Sequence, residues 1–177
     1  MSPGNKTVIE TRGELEIVIK RSFDAPAEFV FDAWTKPELV RHWWVPEAHG
    51  VEGVRFEADV RPGGSYRYVL RAPAEGSGEA AGAGAEFAMS GRYIEVVRPS
   101  RLVHTEVFEP TAAGPEPDAQ EAIVTVTFEE VRGRTHLVSR IVCASKEMRD
   151  AYLANMEPAT SAAMDKLADL LESLRSQ

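Results

Sequence analysis

Hydrophobic and polar residues alternate along most of the chain, which predicts a protein built mainly from β-strands. In ELEIVIKRSF, Leu15, Ile17 and Ile19 share one face of an extended segment. Tight turns are predicted at Pro62-Gly63 and at Arg132-Gly133, where the flanking strands would form hairpins. Six further segments alternate in the same way: GVRFEADV, GSYRYVLR, FAMSGRYIEVV, RLVHTEVFE, AIVTVTFEE and THLVSRIVC. About seven antiparallel strands are therefore expected.

Two segments change to a helical period. In DAPAEFVFDAWTKPELVRHWW, Asp24 is the expected N-cap, and Pro37 is expected to end one helix and open a second, which runs to about Trp43. In the C-terminal segment, Pro158 predicts one or two helical turns over 146–154 and a long helix that restarts near residue 157. An apolar stripe on this helix must be buried against the sheet. The stripe contains Met156, Thr160, Ala163, Met164, Leu167, Leu170, Leu171 and Leu174.

The length of 177 residues suits one domain, because domains typically contain roughly 100–200 residues. Residues 1–13 are expected to form an N-terminal tail, and residues 14–177 a single domain. Two segments rich in small residues, proline and glycine lie near 73–85 and 110–120. They predict mobile loops inside the domain and not linkers between domains.

Charge and cysteine content exclude several function classes. The net charge of −8 would repel phosphate groups, so nucleic acid is not an expected partner. A single cysteine, Cys143, excludes an internal disulfide and suits a reducing compartment, here taken as the cytoplasm. Neither a signal peptide nor an apolar run of about 18 residues is present, so no membrane insertion is expected. The histidines lack metal-ligand spacing, and neither a metal nor a cofactor is expected.

The order of predicted elements resembles the helix-grip superfamily, also called START-related or SRPBCC. Four segments resemble motifs of the activator of heat-shock-90 ATPase homologue-like family: FDAPAEFVFDAWTKPELVRHWWVP, DVRPGGSYRYVLR, SGRYIEVVRPSRLVHTEVFE and NMEPATSAAMDKLADLL. The resemblance covers roughly residues 14–174, although Ala159 and Thr160 replace the usual Gly-Met or Gly-Trp. It implies an α+β helix-grip fold, in which a curved antiparallel sheet of about seven strands wraps a long C-terminal helix. It also implies a cavity between them, where such proteins mostly bind apolar small molecules.

Two ionisable residues, His104 and Glu106, are the candidates for chemistry. They alternate with Thr105 and share a face with apolar neighbours, so this face is either solvent-exposed or lines the cavity. The resemblance favours the cavity, because the family often has large apolar residues at these two positions. Cα atoms two apart on a strand are roughly 6.5–7 Å apart, so the side chains can share a ligand. Burial would raise the pKa of Glu106, and the nearby histidine would oppose that change.

The sequence thus predicts the binding of a small hydrophobic molecule in an internal cavity. The expected cavity residues are Trp43, Trp44, Phe56, Tyr66, Tyr68, Met89, Tyr93, His104, Glu106, Phe108, Met156, Thr160 and Met164. Ordinary core packing stays an alternative for the tryptophans, tyrosines and methionines, and only one of the adjacent tryptophans is expected at the cavity. Solvated positions are expected for Arg55, Arg61, Arg67 and Arg71, and a buried position for Cys143.

Two other functions stay open. The first is an enzyme of the cyclase, dehydratase or hydrolase type that uses His104 and Glu106 as acid and base. The second is an interaction domain that stimulates a chaperone ATPase, as the family's name suggests. Homodimerisation through sheet edges or the terminal helix is also left open.

Overall fold

The computed structural model describes residues 5–46, 50–73, 84–111 and 113–177, apart from the side chains at 155 and 157. This part of the chain contains eight strands and three helices. The strands are β1 (Val8–Arg12), β2 (Glu16–Phe23), β3 (Glu52–Ala58), β4 (Ser65–Arg71), β5 (Glu86–Val97), β6 (Arg101–Glu109), β7 (Ala122–Val131) and β8 (Arg134–Val142). The helices are α1 (Ala27–Thr35), α2 (Pro37–Val40) and α3 (Lys146–Arg175).

All strands belong to one antiparallel sheet in the order β1-β2-β8-β7-β6-β5-β4-β3. With α3 packed against the sheet, this confirms the expected α+β helix-grip architecture. Register shifts interrupt β3 between Gly53 and Arg55 and β5 between Tyr93 and Glu95. Irregularities of this kind bend the strands that carry them.

The strand count differs from the prediction because β1 lies inside the expected N-terminal tail. Val8 pairs with Lys20 and Arg12 with Glu16 across an antiparallel ladder. Gly13, at φ +59, supplies the left-handed turn residue between the two strands. Residues 8–12 are thus an edge strand, and the prediction of a tail over 1–13 is wrong there. Because β1 is only five residues long, its alternation of apolar and polar residues is too short to predict a strand.

The N-terminus of α1 is capped by a distant side chain. Pro26 occupies the N-cap position without a side-chain hydrogen bond, so the prediction of Asp24 as the cap is wrong. Instead, the Glu130 carboxylate on β7 accepts a hydrogen bond from the Ala27 amide at 2.7 Å. Pro37 begins α2 as predicted, but α2 ends at Val40 and a turn follows it.

Helix α3 is continuous over 30 residues and contains Pro158, so the predicted break is wrong. Proline removes one helical N–H donor and costs roughly 3 kcal/mol inside a helix. Packing on both sides of Pro158 offsets this cost, since Met164, Leu167 and Leu171 after it are buried in the core and Tyr152 and Met156 before it are partly buried against the core. Ser145 caps the helix by accepting a hydrogen bond from the Met148 amide at 3.1 Å.

The two halves of α3 meet the sheet differently. Met164, Leu167 and Leu171 in the C-terminal half are almost fully buried. The preceding turns have half-buried residues on the same stripe, among them Tyr152, Met156 and Thr160. The sheet and helix are therefore in close contact at one end and separated at the other.

Of the two predicted loops, the structure describes one almost completely. The segment near 73–85 lies largely outside the described residues. The segment near 110–120 is described except at residue 112, and it forms bends and turns between β6 and β7. Across the described ranges, no helix has both the length and the apolar character to cross a membrane.

Candidate ligand-binding cavity

A cavity of about 660 Å³ lies between the sheet and the N-terminal half of α3. Strands β4, β5 and β6 form most of one wall, to which β2, β7 and β8 also contribute, and α3 forms the opposite wall. The turn after α2 closes one side with Trp43, Trp44 and Pro46. Most of the lining is aromatic or aliphatic, which is typical of small-molecule sites.

Of the thirteen side chains predicted for the cavity, the structure places all but Phe56 on its wall. Phe56 on β3 pairs with Tyr68 on β4 and shares its face of the sheet, with its ring 5.1 Å from that of Tyr68 and 6.3 Å from that of Trp44. The prediction for Phe56 is therefore wrong as to direct contact. It packs beside Tyr68 on the edge strand β3, next to the cavity wall.

Both adjacent tryptophans reach the cavity, although only one was expected there. Trp43 is buried and donates its indole N–H to the Ala33 carbonyl at 2.8 Å. Trp44 is half-buried and packs against Tyr68, with ring centroids 5.2 Å apart. Because α2 ends at Val40, helical spacing does not separate these two rings.

The face of β6 that carries His104 and Glu106 points into the cavity. Leu102 and Phe108 lie on the same wall, and Phe108 is 44% exposed. Thr105 on the opposite face is also buried, and it accepts a hydrogen bond from the Arg92 amide at 2.9 Å. Both faces of β6 are therefore covered at this point.

Neighbouring backbone and side-chain groups fix the ring of His104. Its Nδ1 lies 2.8 Å from the Thr105 carbonyl oxygen, which also accepts a hydrogen bond from the Tyr66 hydroxyl at 2.9 Å. A carbonyl only accepts, so Nδ1 carries the proton and Nε2 keeps its lone pair. Burial lowers the pKa of His104 below its ordinary 6.5, and the hydrogen bond to the Thr105 backbone partly offsets this change. The imidazole is therefore neutral at pH 7.

A glycine makes the contact between Tyr66 and Thr105 possible. Gly91 on β5 pairs with Tyr66, and a Cβ atom there would lie 2.0 Å from the Thr105 carbonyl oxygen. It would also lie 2.6 Å from the Tyr66 ring. A glycine inside a strand commonly marks such a close approach.

The Glu106 carboxylate lines the cavity without a hydrogen-bond or ion-pair partner among the described residues. Burial raises the pKa of Glu106 from its ordinary 4.5 to about 7. The opposing effect expected from His104 is not found, because the imidazole is uncharged and its N–H donates to the Thr105 carbonyl and not to Glu106. Glu106 is thus close to half-ionised at neutral pH.

Tyr152 on α3 is a cavity residue that the sequence analysis missed. Its buried hydroxyl has no hydrogen-bond partner within the described ranges. Burial raises the pKa of Tyr152, and the charge of Glu106 and the thiol of Cys143 raise it further. A signal was present in the sequence, since Tyr152 lies four residues before Met156 on the same helical stripe. Other lining residues that were missed are Ile19, Trp34, Val40, Pro46, Leu102, Val124, Ser139, Ile141, Ala151, Ala159 and Ala163.

The remaining phenols on the strand wall are also neutral at pH 7. Burial raises the pKa of Tyr68 well above 10, and its hydrogen bond to Tyr93 adds to this. Burial raises the pKa of Tyr93 to about 12. Burial, followed by the charge of Glu106, raises the pKa of Tyr66.

One predicted solvated arginine instead forms a partly buried ion pair on the opposite face of the sheet. Arg67 contacts Glu109 at 2.8 Å, and only 2% of the Glu109 side chain is exposed. The hydrogen bond from Arg67 lowers the pKa of Glu109. Arg55, Arg61 and Arg71 are more exposed, and Cys143 is buried.

In the described ranges, no group of three or more His, Cys, Asp or Glu is placed to hold a metal ion.

An antiparallel sheet with a cavity beneath a long C-terminal helix defines a helix-grip protein. The sequence model of the family described as Activator of Hsp90 ATPase homolog 1-like protein matches residues 24–172. The chain belongs to this family. No curated protein matches the chain.

Solved structures show the same fold. A protein from Rhodobacter sphaeroides is 25% identical, with a TM-score of 0.78, over 96% of this chain and 99% of that one. Ms6760 from Mycobacterium smegmatis is 22% identical, with a TM-score of 0.77, over 94% of this chain and 96% of that one. A Staphylococcus epidermidis protein is 26% identical, with a TM-score of 0.74, over 94% of each chain.

Proposed function

We propose that the protein binds a small, largely apolar molecule in the cavity between the sheet and α3. The observation that carries the proposal is the cavity itself, about 660 Å³ of space with a mainly aromatic and aliphatic lining. Apolar ligand surface removed from water contributes roughly 25 cal/mol per Å² before the entropic costs of binding.

Two polar side chains of this lining lie close enough together for the charge of Glu106 to raise the pKa of Tyr152. Glu106 and the Tyr152 hydroxyl have no hydrogen-bond partner among the described residues, and both belong to the cavity. Buried polar groups without hydrogen-bond partners are costly, so a ligand that supplies the missing partners is favoured. The bound molecule is therefore expected to carry a polar group that meets Glu106 and Tyr152 and an apolar body that meets the aromatic wall.

A variant that fills the cavity tests this proposal. Ala159 lines the cavity, and Ala162 is exposed on the other side of α3. Ala159→Trp should weaken binding of the neutral dye N-phenyl-1-naphthylamine at least tenfold, measured by fluorescence titration. The matched Ala162→Trp variant should bind it like the wild type. Equal affinities in all three proteins, each shown to be folded by circular dichroism, would contradict the proposal.

Acid–base catalysis in the same cavity is the second candidate function. Burial raises the pKa of Glu106 to about 7, which suits a general base at neutral pH. The Thr105 carbonyl orients His104, a role that the sequence did not reveal. A screen of aryl esters and epoxides tests this candidate, with a rate inflection near pH 7 that is lost in Glu106→Gln. Turnover that is unchanged in this variant would remove Glu106 as the base.

Three further predictions come from the sequence: stimulation of a chaperone ATPase, a cytoplasmic location and homodimerisation. Stimulation of a chaperone ATPase is supported only by the family's name, and adding the purified chain to a chaperone ATPase assay tests it. The buried, unpaired Cys143 suits the expected cytoplasmic location. Homodimerisation stays a prediction that light scattering would check.

A further inference from the structure

Resting on the proposed function, we infer that the ligand is an organic cation, an apolar and preferably aromatic molecule with one protonated amine. Its ammonium group would lie at Glu106, and its apolar body would lie against the aromatic wall. Hydrogen-bonding capacity, charge and ring chemistry in the cavity each support this ligand class.

Glu106 and His104 present acceptors to the cavity that have no partner among the described residues. Glu106 offers two carboxylate oxygens, and no described residue donates to them. His104 donates through Nδ1 to a backbone carbonyl, so Nε2 is left as an acceptor without a described partner. The Tyr152 hydroxyl is able to accept as well as donate. An ammonium group has only donors, so it complements this set better than a hydroxyl, and a ligand carboxylate would be repelled.

Within the described part of the chain, the cavity lining supplies no positive charge to balance Glu106. No lysine or arginine occurs among the described lining residues. The titratable groups around the carboxylate are neutral at pH 7, because burial raises the pKa of the phenols and the thiol and lowers the pKa of the imidazole. They are Tyr66 and Tyr68 on β4, Tyr93 on β5, His104 on β6, Cys143 after β8 and Tyr152 on α3. A cationic ligand would supply the missing countercharge.

The aromatic wall adds a second attraction for a cation. The rings of Tyr66 and Tyr68 lie 5.1 Å apart, and Trp44 packs 5.2 Å from Tyr68. The Tyr66 ring also lies 5.1 Å from that of His104, two residues before Glu106 on β6. The faces of tryptophan and tyrosine attract ammonium groups, and aromatic cages recognise organic cations in this way.

Three naphthyl probes that differ only in the attached group test the inference: 1-naphthylmethylamine, 1-naphthalenemethanol and 1-naphthoic acid. At pH 8 Glu106 is ionised, and calorimetry on the full chain should show the amine binding at least tenfold tighter than the alcohol. The acid should bind most weakly. At pH 5 Glu106 is protonated, and the preference for the amine should fall at least fivefold.

Substitutions identify the group responsible. Glu106→Gln should reduce the preference for the amine, measured as the ratio of the amine and alcohol affinities within the same protein, to within about twofold at pH 8. Asp169→Asn, on an exposed position of α3, removes the same charge and should keep the preference. Protonation of His104 would also disfavour the amine at low pH, and the pH dependence that remains in Glu106→Gln separates its contribution.

Each outcome has a defined meaning. Equal affinities of the wild type for amine and alcohol at pH 8 would overturn the inference and leave the proposed function standing. Failure of the amine to bind while the neutral dye binds would do the same. Failure of the dye and of all three probes would contradict the proposed function itself. The wild-type comparison does not depend on whether Glu106→Gln folds.

Discussion

At the residue scale, Glu106 departs most from the usual behaviour of its residue type. Its carboxylate lines an apolar cavity, and no described residue donates a hydrogen bond to it. Burial raises the pKa of Glu106 to about 7. An unpartnered carboxylate in this position is costly for the stability of the protein, and under the proposed function a ligand that donates to Glu106 would offset the cost.

Stability should depend on pH through this residue. Between about pH 4.5 and pH 7 the unfolded chain ionises Glu106 while the folded chain keeps its proton, so the folded state binds more protons. The Glu106 contribution therefore lowers the free energy of unfolding as pH rises through this window, by roughly 3 kcal/mol at most. Relative to wild type, Glu106→Gln should gain stability on going from pH 4 to pH 8, measured by urea denaturation. The same difference at both pH values would show that burial does not raise the pKa of Glu106.

Some cavity residues could be predicted from sequence and others could not. Strand alternation places His104 and Glu106 on one face, and the family resemblance indicates which face is inward. Tyr152 was missed because the expected break at Pro158 separated the first turns of α3 from the apolar stripe. Phe56 shares a face of the sheet with Tyr68, and a sequence pattern does not show that the cavity ends before the β3 edge.

At the scale of elements, long-range contacts decide what local signals leave open. The sequence near Asp24 predicts a local helix cap, but the amide of Ala27 is bound by Glu130, 103 residues away. The contact between β7 and the start of α1 therefore sets where this helix begins. Pro158 likewise predicts a helix end, but burial of the surrounding stripe keeps α3 continuous.

Removal of the distant cap should destabilise the protein. Glu130→Ala leaves the Ala27 amide without its acceptor, and the loss of a helix cap typically costs about 1 kcal/mol. The adjacent Glu129→Ala variant is a matched control, since Glu129 is exposed and has no described partner. Urea denaturation at pH 7 should separate the two variants by this amount. Equal stabilities would show that Glu130 does not cap α1.

At the scale of the whole molecule, the order of the elements follows from the sequence, and the cavity does not. Alternation and helical periodicity predicted the sheet and the terminal helix, although β1 was missed. The cavity depends on the volumes of side chains contributed by β4, β5, β6, α3 and the turn after α2. Single-segment patterns do not report how completely such distant side chains fill the space between a sheet and a helix.

The most direct test of the central claim is an NMR measurement of contacts between the protein and bound N-phenyl-1-naphthylamine. Met89 on β5 and Met156 and Met164 on α3 line the cavity, whereas Met148, also on α3, does not. Intermolecular nuclear Overhauser effects from the dye to the methyl groups of these three methionines, and not to that of Met148, are the predicted result. Contacts confined to Met148 and to exposed apolar residues such as Ile94 and Val97 would place the dye on the outer surface and contradict the account.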